Sequence, residues 1–469
     1  MSKYNQYTAG DILVEPYKFI SILDFNLIRE MNTHTKMIIS GIIDESLEDE
    51  YVEFANEDSI INVSVKDENN NIKTLFEGII SNIEISVNNK IRELKIEAIS
   101  NTFVMDLEKK SRSFQTDSYT YAEIFKIINS GYNDAQISED ILNNKTIDKM
   151  IVQYNETDWE FIKRLGSHFN AYVIVESQLP HIKYSLGTST VDRVFELEEE
   201  EFKIKKDLNE FRSLEDEIEL NDINSICYEV RSNKILNLGN EVKFQTREYF
   251  VFRSELKLEQ GVLNNYYILK DKKGMKIKKY YNNGLIGASL KGTILNTKND
   301  VVQVNLDIDG KSSNRNLWFP YSTVYSSEDG TGWYCMPEIG DAVRVYFPDN
   351  DEKNAYAISS VNTKSTNSSK RSDPSVKSIG TKYGKEVVMK DGAVEIIGNG
   401  NLLMRMTDDG GIEIKSDKKI IFDAKEEIEI TGGASISIEG KKSVDLLQGN
   451  ANLKIKDDVK LTGGKVNIE

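Results

Sequence analysis

From Ile412 to Leu446, two apolar residues flanking a single residue return every eight positions: Ile412/Ile414, Ile420/Phe422, Ile428/Ile430, Ile436/Ile438 and Val444/Leu446. This period fits neither the turn of a helix nor the strict alternation of one long strand. Each triplet predicts a short strand with two side chains on one face, and the intervening stretches (SDKK, AKEE, TGGAS, EGKKS) have the polar or glycine-rich composition of turns. The alternation continues, with drifting register, through Val387/Met389, Val394/Ile396 and Leu402/Met404 upstream and Leu453/Ile455, Val459/Leu461 and Val466/Ile468 downstream. Residues 378–469 therefore read as a β-solenoid or β-helix of about ninety residues, because stacked repeats make a continuous core. One chain's stripe is too thin to bury itself. The rungs are either part of a coil in a single-chain solenoid or one chain's share of a prism wound from three chains. Gly432-Gly433 and Gly463-Gly464 lack the aspartates of calcium-binding nonapeptide repeats.

Upstream, the first hundred or so residues alternate apolar and polar positions in short runs (SIINVSV, TLFEGIISNIEISV, RELKIEAIS), which predicts a strand-rich barrel or sandwich. Thr120 with Glu123 and Thr157 with Glu160 have the capping-box form and open two short helices, the second with Ile162, Leu165 and Phe169 on one face. Strand periodicity then returns (AYVIVES, HIKYSL, INSICYEV, EVKFQTREYFVF) to about Asn283. Residues 1–283 thus read as two β-units with intervening helices. Residues 284–361 read as a small five-stranded Greek-key barrel of the OB type, and 362–377 (NTKSTNSSKRSDPSVK) as a linker. The fold class is mainly β.

With 469 residues and 39% apolar content the chain has room for several ordinary cores. Its formal charge of −17 opposes non-specific binding to nucleic acid or anionic membranes. From Lys377 onward there are 15 basic and 16 acidic residues, so the negative excess lies in the first 376. Cys227 and Cys335 are too few for a disulfide framework and are expected to be reduced core residues. No apolar run reaches the ~18 residues of a membrane span, and MSKYNQYTAGDILVEPYKF lacks signal-peptide order. Synthesis and folding in the cytoplasm are expected, with other machinery moving the protein outward.

Local motifs add a resemblance. Leu75-Phe76-Glu77-Gly78 followed by Ser111-Arg112-Ser113-Phe114-Gln115 looks like an "LFxG … RxFQ" spacing, and the run Val152 to Leu165 looks like "QYxETDxxFxxRL". Trp318-Phe319-Pro320, Gly330, Trp333, Pro337 to Asp341 and Val343 to Phe347 follow "W…G…PExGDxVxVxF". In this order the landmarks resemble the VgrG family of contractile-injection spike proteins, similar to a phage tail hub fused to its needle. The chain's opening and the 318–338 wording are nearer to phage-like or extracellular contractile particles than to typical type VI secretion spikes. The resemblance implies a homotrimer whose hubs form a pseudo-sixfold ring on the inner tube and baseplate, and whose repeats wind into one intertwined β-helix. The inward triplets Ile412 to Leu446 would form its core. It also implies a PAAR-type tip protein docked at Val466 and Ile468, and transient contact with a target envelope.

Candidate chemistry is sparse. Only about sixteen residues separate barrel from repeat, too few for a lysozyme domain with paired carboxylates. His34, His168 and His181 have no metal-ligand spacing. Asp307-Ile308-Asp309-Gly310 reads as a hairpin turn, and Glu156 and Asp158 as first-turn acids favoured by the helix dipole. Trp318 and Trp333 are expected in the core or between subunits. No catalytic, cofactor or metal site is assigned. The expectation is a non-enzymatic structural spike and hub; its rivals are a glycan-binding fibre or adhesin and an envelope hydrolase.

Overall fold

The computed structural model describes residues 6–455 apart from 57, 139–140, 143, 189–193, 210–211, 213–220, 311–315 and 363–366. Val459, Leu461, Val466 and Ile468 therefore lie outside the described residues. The chain is mainly β, 44% strand and 13% helix, and divides into two compact units, Met1–Thr363 and Lys364–Glu469.

In the first unit the two β-rich stretches join one twelve-stranded sheet. They meet where Ser21–Glu30 pairs antiparallel with Arg247–Glu259, setting Leu27 opposite Leu256. Leu256 and Leu263 come from the later stretch yet are buried in the core of the earlier one with Phe25, Ile39, Phe76 and Ile96. The alternating runs produce this directly: inward residues of Lys36–Ile43, Ile60–Lys66 and Ile91–Ser100 are buried while their neighbours face outward. At Gly78 of the "LFxG" motif, an added Cβ would lie 2.3 Å from the Ile99 carbonyl oxygen, so the adjacent strand fits only against glycine.

The two predicted helices form at Tyr121–Asn129 and Asp158–Ser167, each opened by the expected reciprocal capping box. They pack around Trp159, Phe125 and Phe161 with a three-stranded sheet of Gln136–Ser138, Val173–Val175 and Lys183–Leu186. The barrel is a five-stranded sheet in the order Phe319–Pro320, Val301–Leu306, Ser289–Lys298, Ala342–Tyr346, Tyr356–Ile358. Its core takes in Met150 and Val152 from the helical region, so barrel and helices share apolar packing.

In the second unit, Lys377–Gly380, Glu386–Lys390, Ala393–Ile397, Leu403–Thr407 and Gly411–Lys415 form an antiparallel meander. Residues 416–443 contain no ladder strand, and Val444–Gln448 then pairs with Ala451–Ile455.

Candidate assembly surface

Each strand of the meander alternates, and its register stacks like on like. Ile379 faces Val387; Val387 faces Ile396, which faces Met404, which faces Ile414. Met389, Val394, Met406 and Ile412 make the parallel row. One face of the sheet is thus nine aliphatic side chains wide open to water, from 36% exposed at Val394 to 70% at Ile412. Ile420 joins this face at a cavity of about 650 Å³ lined also by Ile396, Met404 and Ile414.

The opposite face is a ladder of alternating charge. Glu395 accepts from Lys390 at 3.0 Å and Arg405 at 2.7 Å, and Glu413 pairs with Arg405 at 3.7 Å and Lys415 at 2.6 Å. The Lys390 hydrogen bond, then Arg405, hold the Glu395 carboxyl below its ordinary range. The charges at the centre of this face are thus paired, beside the half-buried Val388, Ile397 and Leu403, while the other face leaves its aliphatic rows open.

The rungs that follow are in the same condition. Ile428, Ile430, Ile436 and Ile438 are 51–68% exposed, Phe422 is 73% exposed and Leu446 54% exposed. Val444 is half-buried opposite Ile455. Among the described residues no rung from 416 to 443 pairs with another through its backbone.

The motif residues of the first unit converge on two buried charge clusters. Asp158, with a fully buried side chain, accepts from Lys110 (2.7 Å), Arg112 (2.5 Å), Tyr132 (2.7 Å) and Gln153 (3.0 Å), while Arg112 also donates to Gln153 at 2.7 Å. Despite burial, these donors keep the Asp158 carboxyl below its ordinary range. Arg164 donates to Glu156 at 2.8 Å and to Glu352 of the barrel at 3.0 Å. Asp158 stands in the first turn of the helix as expected and is ion-paired as well, whereas Glu156 belongs to the preceding strand Ile151–Thr157 and serves as a partner of Arg164; the cap belongs to Thr157 and Glu160.

Other expectations also change. Asp309 closes a short 3-10 turn in the connection between the antiparallel strands Val301–Leu306 and Phe319–Pro320, and it also accepts hydrogen bonds from the Ser113 N–H and hydroxyl, tying barrel to body. Trp318 and Trp333 are 40% and 51% exposed, so neither is core. Cys335 is exposed and Cys227 half-buried, and neither is in a disulfide. The one-sided meander escaped the octad reading, although Val387/Met389 and Val394/Ile396 carried its signal.

Residues 292–361 match the type VI secretion system/phage-baseplate injector OB domain family, and residues 31–209 match a family described as the Alg8 N-terminal domain. No curated protein matches in sequence. Among solved structures, the E. coli c3393 protein is a component of the type VI secretion system with structural similarity to T4 bacteriophage tail proteins. It aligns at TM-score 0.53 and 12% identity over 75% of this chain and 99% of its own. A chain of the half-lidded Francisella PdpA-VgrG complex aligns at TM-score 0.56 and 10% identity over 88% of each chain. Alignment over 75% to 88% of the chain, with the injector OB domain in its expected place, gives this chain the VgrG-like fold.

Proposed function

We propose that the chain is the homotrimeric hub and spike of a contractile injection machine's baseplate. Its body adapts to inner tube and baseplate proteins, and three copies of residues 378–469 wind into a needle that pierces a target envelope. The single observation carrying this reading is the one-sided meander at 377–415 followed by exposed rungs. A face of nine open aliphatic side chains is unstable in water, and each is worth roughly 1.5–3 kcal/mol on full burial. Three such faces turned to a common axis would bury one another, and the charge ladder would remain outside.

On this reading Ile412, Ile414, Ile420, Phe422, Ile428, Ile430, Ile436, Ile438, Val444 and Leu446 form the needle core, and Val466 and Ile468 receive a PAAR-type tip protein. The role is mechanical rather than enzymatic, with work supplied by the contracting machine. The protein would be made in the cytoplasm and carried in a contractile particle to meet the target outside. The mass of the purified chain tests this: three times 53.4 kDa is expected, and a stable monomer at micromolar concentration would overturn it.

A further inference from the structure

The barrel carries a loop that turns its rings outward. Between Tyr321 and Asp341 it exposes Val324 (84%), Tyr325 (55%), Trp333 (51%), Tyr334 (72%) and Ile339 (66%). The loop is pinned in this shape. The Trp333 N–H donates to the Tyr325 carbonyl at 2.8 Å, the Thr323 hydroxyl to the Trp333 carbonyl at 2.5 Å, and the Tyr334 hydroxyl to the Asn299 carbonyl at 2.8 Å. Gly332 adopts φ +136°, where an added Cβ would sit 2.3 Å from the Tyr325 oxygen. The rings are thus held in water rather than folded inward. From 316 to 343 the sequence has Glu328, Asp329, Glu338 and Asp341 and no Lys or Arg.

A surface of opposite character lies on the body of the same unit. In the run 270–281 (KDKKGMKIKKYY), Met275 and Ile277 are buried, which presents Lys272, Lys273, Lys276 and Lys278 to solvent. None of these four is in an ion pair among the described residues. Next in sequence, Tyr280 and Tyr281 are 37% and 38% exposed and line a separate groove of about 840 Å³ that mixes Lys109, Lys163 and Arg164 with Glu156 and Glu160; the four lysines lie outside that lining. The loop's pocket and this groove have no lining residue in common.

We propose that the acidic aromatic loop 321–341 of one copy docks on the exposed lysine run 272–278 and the adjoining Tyr280 and Tyr281 of a second copy. This rests on the threefold reading above. Each chain then gives its loop to one neighbour and receives the loop of the other, a head-to-tail contact that closes as a ring under threefold rotation. Lysine ammonium groups meet the faces of Trp333 and Tyr334 and the carboxylates of Glu328 and Asp329. Val324 and Ile339 extend the apolar patch beyond the rings, which suits a protein surface better than a sugar.

The native thiol at Cys335 reports on this contact in the full-length protein. With Lys278→Cys introduced, a short bis-maleimide is expected to link neighbouring chains through Cys335, and Cys335→Ser to abolish the link. Glu328→Lys is expected to lower the yield about tenfold, and Glu328→Lys combined with Lys276→Glu to restore it. A protein of trimeric mass that gives no cross-link, or whose yield the double reversal leaves low, overturns this contact while the threefold reading stands. A monomeric mass overturns both.

Discussion

Arg164 and Glu352, 188 positions apart, form a buried ion pair at 3.0 Å with side chains 3% and 2% exposed. Arg164 belongs to the capped helix and Glu352 to the barrel, and the same guanidinium holds Glu156 and the Val152 carbonyl. Lys149, just before the strand Ile151–Thr157, adds ion pairs to Asp351 and Glu352. The barrel is therefore locked to the body by charge as well as by Met150 and Val152.

Removing one partner leaves the other charge buried and unpaired. Glu352→Ala is expected to cost about 3–5 kcal/mol in urea unfolding, against less than about 0.5 kcal/mol for the exposed neighbour change Lys353→Ala. Equal midpoints for the two variants would show that the pair does not hold the joint.

His34 and His168 set a pH dependence. His34 stacks on Trp159 at 4.4 Å, and His168 contacts the Tyr121 hydroxyl at 2.9 Å. Burial lowers the pKa of His34 from 6.5 to about 4 and that of His168 to about 2. Below pH 6.5 the unfolded chain binds these protons and the folded chain does not. Stability accordingly falls with pH, by about 1.4 kcal/mol per unit for each imidazole, down to pH about 4 for His34. Urea midpoints should drop from pH 7 to pH 5, and His34→Gln should flatten the slope; parallel slopes would refute the assignment.

The apolar face gives a direct test of the needle. A carboxylate at Met404, between Ile396 and Ile414, would sit on the proposed axis in all three chains. Met404→Asp is expected to abolish the trimer in mass measurements, whereas Lys418→Asp at an exposed turn should not. A trimer surviving Met404→Asp would mean this face is not the contact.

Arg29 is 1% exposed and donates to the Leu75 carbonyl, with no carboxylate in ion-pair contact among the described residues; burial lowers its pKa to about 10. Glu176 attracts the guanidinium only from beyond ion-pair distance, which leaves most of the burial cost uncompensated. Arg29→Met is expected to leave stability unchanged or raise it by about 1–4 kcal/mol in thermal unfolding. A clear loss of stability would show that the attraction of Glu176 outweighs the cost of burial.

Local rules were enough for much of this architecture. Two capping boxes placed both helices, and alternation placed the strands, because each depends on neighbours within a few residues. Pairings between distant segments were not legible: nothing local says that Leu27 lies opposite Leu256, or that Asp309 reaches Ser113. The ion pairs of Asp158 with Arg112 and of Arg164 with Glu352 were missed for the same reason, since Arg112 and Glu352 lie on other elements. In the second unit the stripe was readable as apolar. Its division into a paired meander and an unpaired run was not, because turn length and register decide which strands find partners within one chain.

The stretch from 416 to 443 has one further consequence. On the threefold reading, extended backbone with no ladder of its own folds only onto other copies, so completion of this segment should depend on protein concentration. Body and barrel have their own cores and should refold at a rate independent of dilution, followed by a slower, higher-order step. Orphan chains released early would expose sticky strands, so synthesis of the copies close together in space and time would favour correct assembly over aggregation.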